Sequence, residues 1–415
     1  IEEGKAFRDF TPKEQRDDAT IKQGIAERAR SQAAEGIDQR ANPFRDLPLE
    51  ESNRRAAAGE HFAVRLKVPV EGQTGFDDAV YGPQQRRYSE IEDLVLLRSD
   101  GHPLYNLSVV IDDIEMGITT VIRGQDHLTN THKQLLLYEA LGATVPQFAH
   151  LPLILAPNKG KLSKRKHGDV VSLTTYRDRG FVPSAFRNFL ALLGWSPPEG
   201  KEILTKDELI ENFALEGIGR VNAIFNFQEN DPRRWTDDKA LWMNAEYIRT
   251  MPLEELLPMV KTELRAAKLW REEYEEEDRE WLTKTVDLIR QRFFTLKDFS
   301  SQGRAYFSDD FDFETAAVNK NLALELRELL PKLADKMETV ELFNAETAET
   351  ALRAFADEAG VKAGLLINAS RTLLTGQAVG PSMFEIFDIL GRSRSVERLR
   401  SGVPWFDLMN ELGDV

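Results

Sequence analysis

Apolar and polar residues alternate along residues 61–68, a period of two that predicts a half-buried strand. The apolar positions on the inner face are Phe62, Val64, Leu66 and Val68. Residues 1–7 lack this alternation and are typical of the start of a helix. The first hundred residues are therefore expected to mix helix and strand.

Three short apolar segments predict strands in the next part of the chain, at residues 104–112, 119–122 and 151–155. A helical pattern separates the last two segments. Strands that alternate with helices in this way favour a parallel, doubly wound sheet. We therefore predict an α/β domain over this part of the chain.

The helix between the last two strands has candidate N-caps in Thr129 and Thr131 and a candidate stop in Gly142. From about residue 176 onward the pattern predicts helices only. The first of them has Ser184 as a candidate N-cap and Gly194 as its stop. Its expected apolar face consists of Phe186, Phe189, Leu190 and Leu193.

Composition narrows the class of protein. A chain of 415 residues with 41% hydrophobic residues suggests two to four domains with real cores. No apolar run reaches the roughly 18 residues of a membrane-spanning helix, and no secretory signal is visible. The absence of cysteine excludes disulfides and thiolate zinc sites. We expect a cytoplasmic protein without bound metal and without a membrane partner.

A dense basic run interrupts this acidic chain, whose formal net charge is −15. Within eight positions it contains Lys159, Lys161, Lys164, Arg165 and Lys166. Gly160 and Gly168 flank the run and allow the backbone to take positive φ and to move. Such mobile positive charge suits a phosphate chain. A solvated loop or a localisation signal is the alternative for a bare basic run.

Arg123 follows the predicted strand 119–122, at the end where doubly wound sheets bind ligands. A guanidinium there could hold a carboxylate with two parallel hydrogen bonds. The alternative is a surface arginine paired with Asp126. His127 and His132 are five positions apart, which on a helix argues against a zinc pair.

Several ordered blocks resemble the bacterial glutamyl-tRNA synthetases, a class I family. The lysine-rich motif KMSKS of class I enzymes appears as KLSKR at residues 161–165, and VIRGQDHL occupies residues 121–128. Further similar blocks lie at residues 188–196, 239–249 and 373–381. The resemblance covers nearly the whole chain. Glutaminyl-tRNA synthetases share the catalytic half, but their anticodon part is built from β-barrels.

The resemblance implies roles for individual residues. Arg123 would contact the side-chain carboxylate of the substrate, and Tyr105 would line the same pocket. His127 would lie at the pocket edge, near the nucleotide or the amino acid. The residues expected to bind ATP or stabilise its reacting phosphates are Lys161, Ser163, Lys164 and Arg165, with Leu153 and Ile154 at the backbone positions against which adenine stacks.

The resemblance also implies a fold and a domain order. It predicts the second half of a Rossmann-type catalytic domain, with an inserted acceptor-end domain ahead of it and helical domains behind it. The expected bounds are 1–97 for the acceptor-end insertion, 98–175 for the catalytic half with the KLSKR loop, 176–250 for the stem-contact domain and 251–415 for the anticodon-binding domain.

The implied reaction joins L-glutamate to tRNA(Glu) through glutamyl-adenylate, with ATP and its own Mg²⁺ as substrate and with attack by the 2′-hydroxyl of the terminal ribose. A monomer is expected. The tRNA must then meet local basic patches, because the whole chain is acidic. Candidates outside the KLSKR loop are Arg290, Arg292, Arg392, Arg394, Arg398 and Arg400.

The family begins with a strand and a HIGH-type motif that hold part of ATP and glutamate, and this chain has no such segment. The 415 residues are therefore expected to be an N-terminally truncated fragment that is inactive alone. Three alternatives stay open: a glutaminyl-tRNA synthetase-like enzyme, a queuosine-modifying paralogue without an anticodon domain, and a non-catalytic tRNA-binding fragment.

Overall fold

The structure is a computed structural model that describes residues 1–12, 42–228, 235–323 and 325–401. These residues form two compact units. The first unit consists of residues 1–155, 192–200 and 212–224, and the second contains residues 156–191, 201–211 and the described residues from 225 onward.

The strands of the described residues all belong to the first unit. They are β1 (Ala6–Asp9), β2 (Ala63–Leu66), β3 (Gln73–Asp78), β4 (Gly82–Arg87), β5 (Val95–Leu97), β6 (Thr120–Gly124), β7 (Gln147–Leu151), β8 (Ile154–Leu155) and β9 (Ala223–Ile224). They form an antiparallel sheet β1-β2-β5, a mixed sheet β4-β3-β7-β6 and a parallel pair β8-β9. The helices of this unit are α1 (Leu49–Ala57), α2 (Tyr105–Glu115) and α3 (Leu128–Leu141).

The mixed sheet contains the predicted parallel unit. Strands β6 and β7 run parallel, with Arg123 opposite His150, and helix α3 connects them. Strand β7 is also parallel to β3, which forms an antiparallel pair with β4. Helix α3 ends at Gly142, which has φ 65° and so takes the left-handed cap conformation expected of it.

The strand predicted for residues 104–112 is wrong, because helix α2 covers most of them. Leu107, Val110 and Ile114 recur at helical spacing and pack into the core of this unit, where Val110 is fully buried. A short apolar run has no clear period of its own, so strand and helix look alike in it.

Other predicted elements are partly corrected. Turns at residues 2–5 and strand β1 replace the helix expected for residues 1–7, since β1 alternates between buried and half-buried positions. The strand predicted at residues 61–68 is confirmed as β2. The strand predicted for residues 151–155 is divided between the end of β7 and β8, with Pro152 between them.

Helix α3 also starts before its predicted caps. It follows a short 3-10 turn at Gln125–His127, so Thr129 and Thr131 lie inside the helix. The hydroxyl of Thr131 instead accepts a hydrogen bond from Arg123. A side chain that was expected to cap the start of the helix therefore bonds to an arginine of strand β6 instead.

Helices dominate the second unit, as predicted. They are α4 (Lys164–His167), α5 (Leu173–Asp178), α6 (Pro183–Leu192), α7 (Lys206–Asn212, whose last residue is in the first unit), α8 (Asp238–Thr250), α9 (Leu253–Ala266), α10 (Arg279–Ile289), α11 (Arg304–Phe307), α12 (Thr315–Asn321), α13 (Leu326–Glu338), α14 (Ala345–Glu358), α15 (Ala363–Thr375) and α16 (Met383–Arg400). A continuous apolar core joins the C-terminal helices, with Leu256, Val260 and Leu264 of α9 fully buried at a spacing of four.

Four expectations for the region after residue 176 are corrected by the structure. Strand β9 interrupts the purely helical pattern. Helix α6 begins at Pro183, so Ser184 lies within its first turn rather than at its N-cap. The helix ends at Leu192, ahead of the predicted stop. Its expected apolar face is also shifted, because Leu190 is exposed and Asn188 is buried with its side-chain oxygen bonded to the Leu204 amide.

Candidate active site

Arg123 lies near the carboxyl end of β6, partly buried within the first unit. Its Nε donates to Nε2 of His150 at 3.2 Å. Its Nη2 donates to Oγ1 of Thr131 at 2.7 Å and to Oε1 of Gln134 at 2.8 Å. All three acceptors are uncharged groups, so these hydrogen bonds fix the guanidinium without neutralising it. The arginine is therefore held in place rather than free on the surface.

His150 connects this arginine to a buried carboxylate. His150 is 0% exposed, and its Nδ1 lies 2.6 Å from Oδ2 of Asp78, which is 3% exposed. Asp78 also accepts backbone hydrogen bonds from Val80, Tyr81 and His150 itself. Burial alone would raise the pKa of Asp78, but the bonds from the imidazole and the amides outweigh it and lower that pKa. The carboxylate is therefore ionised and accepts a hydrogen bond from the Nδ1–H of His150.

The ionisation of His150 follows from the same surroundings. Burial lowers the pKa of His150 below its usual value, the charges of Arg123 and His127 act in the same direction, and Asp78 opposes them. The imidazole is therefore neutral near pH 7. With its proton on Nδ1, it presents a lone pair at Nε2 to the guanidinium.

Tyr105 and His127 lie beside Arg123, as the sequence predicted. The Tyr105 hydroxyl is 3.5 Å from Nδ1 of His127, and the two rings are 5.8 Å apart. Burial lowers the pKa of Arg123, and the interaction with the Tyr105 hydroxyl partly offsets this effect. Tyr105 is 52% exposed. A cation, a phenol and an imidazole thus lie close together on a partly exposed part of the first unit.

A second group of contacts fixes the backbone at Leu153. The Leu153 amide donates to Oδ1 of Asn222 at 2.8 Å, and its carbonyl accepts from the Ala223 amide at 3.0 Å. Oδ1 of Asn222 also accepts from Gln125 at 2.8 Å. Strand β8, which contains Ile154, pairs in parallel with β9. The two residues expected to stack on adenine therefore have backbone held at this edge of the unit.

Gly124 lies where these two parts meet. A Cβ on this residue would lie 2.6 Å from Oδ1 of Asp126 and 3.6 Å from Cδ2 of Leu153. The second distance is an ordinary van der Waals contact, so a side chain at residue 124 would mainly displace the Asp126 carboxylate.

The KLSKR segment belongs to the second unit. Ser163 has the extended backbone of an N-cap residue, and α4 follows it directly. The Ser163 amide donates to Nδ1 of His167 at 3.1 Å, and the His167 ring meets Phe227 edge to face with centroids 5.9 Å apart. The positive φ expected at Gly160 occurs instead at Lys159, with φ 62°.

The basic side chains of this segment point into solvent. Lys161, Lys164 and Arg165 are all exposed. In the part of the chain that the structure describes, Lys164 and Arg165 form no ion pair with a carboxylate. Their charge is therefore available to a ligand, which fits the phosphate-binding role expected of the motif.

Most of the arginines proposed for the tRNA surface have partners inside the chain. Those bonded to backbone carbonyls or carboxylates are Arg290, Arg392, Arg394, Arg398 and Arg400. Arg398 is 6% exposed and donates to Asp309 and to backbone carbonyls, which makes it part of the fold. Arg292 is exposed.

Sequence reasoning missed three residues that hold the site, namely Asp78, His150 and Asn222. Each acts on a residue far away in the chain, so no local spacing announces it. His150 follows Phe148 and Ala149 in an apolar strand and looks like a core residue. The sequence did offer one signal for His150. This histidine lies near the carboxyl end of a predicted parallel strand, next to the strand that contains the candidate arginine.

The described residues contain no cluster of three or more histidine and acidic side chains able to hold a metal ion. Within the same residues, no helix is both long and apolar enough to cross a membrane.

Comparisons with known proteins agree with this geometry. Residues 1–230 match the family model described as "tRNA synthetases class I (E and Q), catalytic domain", and residues 253–403 match an anticodon binding domain. A glutamate–tRNA ligase of Desulfotalea psychrophila is 45% identical over 402 residues, which are 96% of this chain and 80% of that protein. Glutamate–tRNA ligase 2 of Koribacter versatilis is 45% identical over 382 residues, covering 91% of this chain and 76% of that protein.

A solved structure shows the same similarity. The crystal structure of a glutamate tRNA ligase from Elizabethkingia meningosepticum in complex with its amino acid has a TM-score of 0.77 and 29% identity, covering 96% of this chain and 79% of that one. The anticodon-domain match argues against the queuosine-modifying alternative. The catalytic-domain match and the glutamate-specific relatives argue against the non-catalytic and glutaminyl alternatives. The chain belongs to the glutamate–tRNA ligases, a family of class I aminoacyl-tRNA synthetases.

Proposed function

We propose that Arg123 recognises the side-chain carboxylate of L-glutamate in this ligase. The observation that carries the proposal is that the hydrogen-bond acceptors fixing Arg123 are an imidazole, a hydroxyl and an amide oxygen. Because these three acceptors are neutral, no carboxylate is hydrogen-bonded to this partly buried cation among them, and a substrate carboxylate can take that place. Glutamine, which is uncharged, gains less from the same site.

Tyr105 and His127 complete the proposed amino-acid site. The Tyr105 hydroxyl can donate to the substrate carboxylate beside the guanidinium, because it already interacts with Arg123. His127 lies within 3.5 Å of that hydroxyl and limits where the ring can turn. We assign His127 to the edge between the amino acid and the nucleotide.

The nucleotide is proposed to lie against Leu153 and Ile154, with adenine stacked on their backbone. Lys161 and Lys164 are proposed to stabilise the phosphates, helped by Ser163 and Arg165. Negative charge grows on the phosphate oxygens as pyrophosphate leaves, and the positive charge of these exposed lysines would stabilise it. Mg²⁺ is expected to arrive with ATP as part of the substrate.

The reaction then has two steps. An oxygen of the α-carboxylate of glutamate attacks the α-phosphorus of ATP, the bond to the bridging oxygen breaks, and pyrophosphate leaves. The 2′-hydroxyl of the terminal ribose of tRNA(Glu) next attacks the carbonyl carbon and loses its proton, and AMP departs with the bonding electron pair. The products are glutamyl-tRNA, AMP and pyrophosphate.

Domain roles and cellular context rest on family membership. We propose acceptor-end contact by residues 1–97, catalysis by residues 98–175, stem contact by residues 176–250 and anticodon binding by residues 251–415. We also propose that the protein acts as a monomer. The cytoplasm is proposed as its location because bacterial translation takes place there.

Replacing Arg123 by Ala tests the amino-acid assignment. The variant removes the positive charge that holds the carboxylate, so we expect kcat/KM for glutamate to fall by about 100-fold or more, mainly through KM. The measurement is tRNA charging at varied glutamate concentrations with the full-length protein. Arg98→Ala is the matched control, because Arg98 is exposed and its ion pair in the described part of the chain is with nearby Asp100. An unchanged glutamate KM in Arg123→Ala would refute the assignment.

A further inference from the structure

Three buried or partly buried side chains form one hydrogen-bonded row across neighbouring strands. Asp78 ends β3, His150 lies in β7 and Arg123 lies in β6, in the strand order β3-β7-β6. The carboxylate and the imidazole are 2.6 Å apart, and the imidazole and the guanidinium are 3.2 Å apart. The row therefore reaches from the interior to the substrate-binding side chain.

We propose that Asp78 and His150 are positioning residues that set the selectivity of this ligase for glutamate over glutamine, by fixing the orientation of Arg123. The inference rests on the proposed role of Arg123 in holding the substrate carboxylate. It adds a reason why a single arginine is sufficient to reject an amide of nearly the same shape.

The tautomer of His150 is the central element. An ionised carboxylate can only accept hydrogen bonds, so Asp78 keeps the imidazole proton on Nδ1. Nε2 is then an acceptor, and the Nε–H of Arg123 donates a hydrogen bond to it. The opposite tautomer would place two N–H groups against each other and push the guanidinium away. The buried aspartate thus acts on Arg123 through the imidazole.

The remaining contacts restrict rotation of the guanidinium. Nη2 bonds to both Thr131 and Gln134, and the Gln134 amide is itself oriented because its Nε2 donates to Asn106 at 3.1 Å. With Nε and Nη2 engaged, Nη1 is the nitrogen that can serve a ligand beside the Tyr105 hydroxyl. Because Nη1 carries only N–H groups and is held in place, it can donate hydrogen bonds to a ligand but cannot accept one.

The fixed geometry favours a carboxylate over an amide. Both carboxylate oxygens of glutamate accept hydrogen bonds, whereas the amide of glutamine presents one acceptor and one donor group. Against an immobile guanidinium, the amide NH₂ meets another donor and cannot be paired. If the guanidinium could turn, it could offer a single N–H to the amide oxygen and the penalty would shrink. Loss of the Asp78–His150 support should therefore reduce discrimination as well as affinity.

A pair of His150 substitutions separates positioning from folding. In His150→Gln the side-chain oxygen can replace Nε2 as the acceptor for Arg123. In His150→Asn the shorter side chain can still reach Asp78 but cannot reach the arginine. Both variants put an amide into the same buried position, so their effects on stability should be similar. Asp78→Asn removes the charge that fixes the tautomer, and we expect its effect to lie between the two.

The measurement is kcat and KM for glutamate, and kcat/KM for glutamine, in tRNA charging by the full-length variants, with thermal unfolding measured in parallel. We expect His150→Asn to raise the glutamate KM about 10-fold or more, as loss of an orienting partner does elsewhere, with a smaller change in kcat. The glutamate-to-glutamine ratio of kcat/KM should fall. His150→Gln should stay close to the original protein.

Two results would overturn the inference. Equal kinetic losses in both variants would mean that His150 has only a structural role. An unchanged glutamate KM and an unchanged selectivity in His150→Asn would mean that Arg123 needs no such support. If Arg123→Ala itself leaves the glutamate KM unchanged, the proposed function fails first, so the two failures can be told apart.

Discussion

At the scale of single residues, the proposed site depends on an arginine whose hydrogen-bond acceptors carry no charge. Arg123 is fixed by three neutral acceptors, and the carboxylate of Asp78 lies behind one of them, His150. A direct Asp–Arg pair would satisfy the guanidinium internally and compete with the substrate. Placing an imidazole between the two charges keeps the arginine both oriented and available.

This arrangement predicts a pH dependence of glutamate binding. Burial lowers the pKa of His150, so the imidazole is neutral above its usual value of 6.5 and becomes charged only as the pH falls below it. Protonation removes the acceptor at Nε2 and adds a like charge beside Arg123. The charged groups that face the pair are Asp78 and His127 at the imidazole, and Tyr105, Asp113 and Tyr138 at the guanidinium.

We therefore expect the glutamate KM to rise as the pH falls from 7 towards 5, values that bracket the ordinary histidine pKa of about 6.5. Folding stability should fall over the same pH range. Because the folded-state pKa of His150 is lowered, its contribution is present above about pH 6.5 and is lost as the pH falls. His150→Gln, which keeps His127, should show a flatter KM profile. Identical profiles for the two proteins would contradict this account.

The residues proposed to bind ligand were easier to predict from sequence than the residues that support them. Arg123, Tyr105 and His127 were identified through a family motif, and the structure brings the three side chains together. His150 and Asp78 were not identified, because their partners lie 27 and 72 positions away in the chain. Long-range hydrogen bonds between strands leave no local pattern in a single sequence.

At the scale of elements, left-handed glycines end helices in two physically different settings. Gly376 follows α15 with φ 75°, and a Cβ there would lie 2.1 Å from the carbonyl oxygen of Asp312. Gly360, after α14, has φ 67° but no atom within 4 Å of an added Cβ. The first glycine is needed for both conformation and close approach, and the second for conformation alone.

Alanine at these two positions should therefore have unequal effects. Gly360→Ala should lower the free energy of unfolding by about 1 kcal/mol through backbone strain alone. Gly376→Ala should lower it by at least about 3 kcal/mol, because the steric clash with the Asp312 carbonyl adds to the strain. Urea unfolding followed by circular dichroism measures both, and both glycines lie in the second unit. Equal losses would show that the close contact relaxes at no cost.

The prediction of helices and strands succeeded where the apolar residues had a clear period and failed where the apolar run was short. The strand predicted at residues 61–68 and the stop at Gly142 were confirmed. Residues 104–112 became helix α2 because their apolar positions also fit a helical period, and only packing against the core decides between the two. Strand β9 is two residues long and depends on its pairing with β8, which no local signal reveals.

At the scale of the whole molecule, an acidic protein must bind a polyanion through a few basic groups. The formal net charge is −15, and five arginines proposed for that surface are occupied by contacts within the fold. The exposed basic side chains of the KLSKR segment and Arg292 are the candidates that remain from the sequence analysis. The predicted domain order stays a prediction, although the two compact units divide the chain at residue 155, ahead of the KLSKR segment.

The most direct test of the whole account is ATP-dependent charging of tRNA(Glu) by the full-length protein, with glutamate and glutamine supplied in separate reactions. The account predicts glutamyl-tRNA formation with release of AMP and pyrophosphate, and far weaker charging with glutamine. Binding of tRNA that weakens with salt, without charging by either amino acid, would contradict it and would favour a binding role without catalysis. Equal charging with both amino acids would contradict the carboxylate-specific role of Arg123.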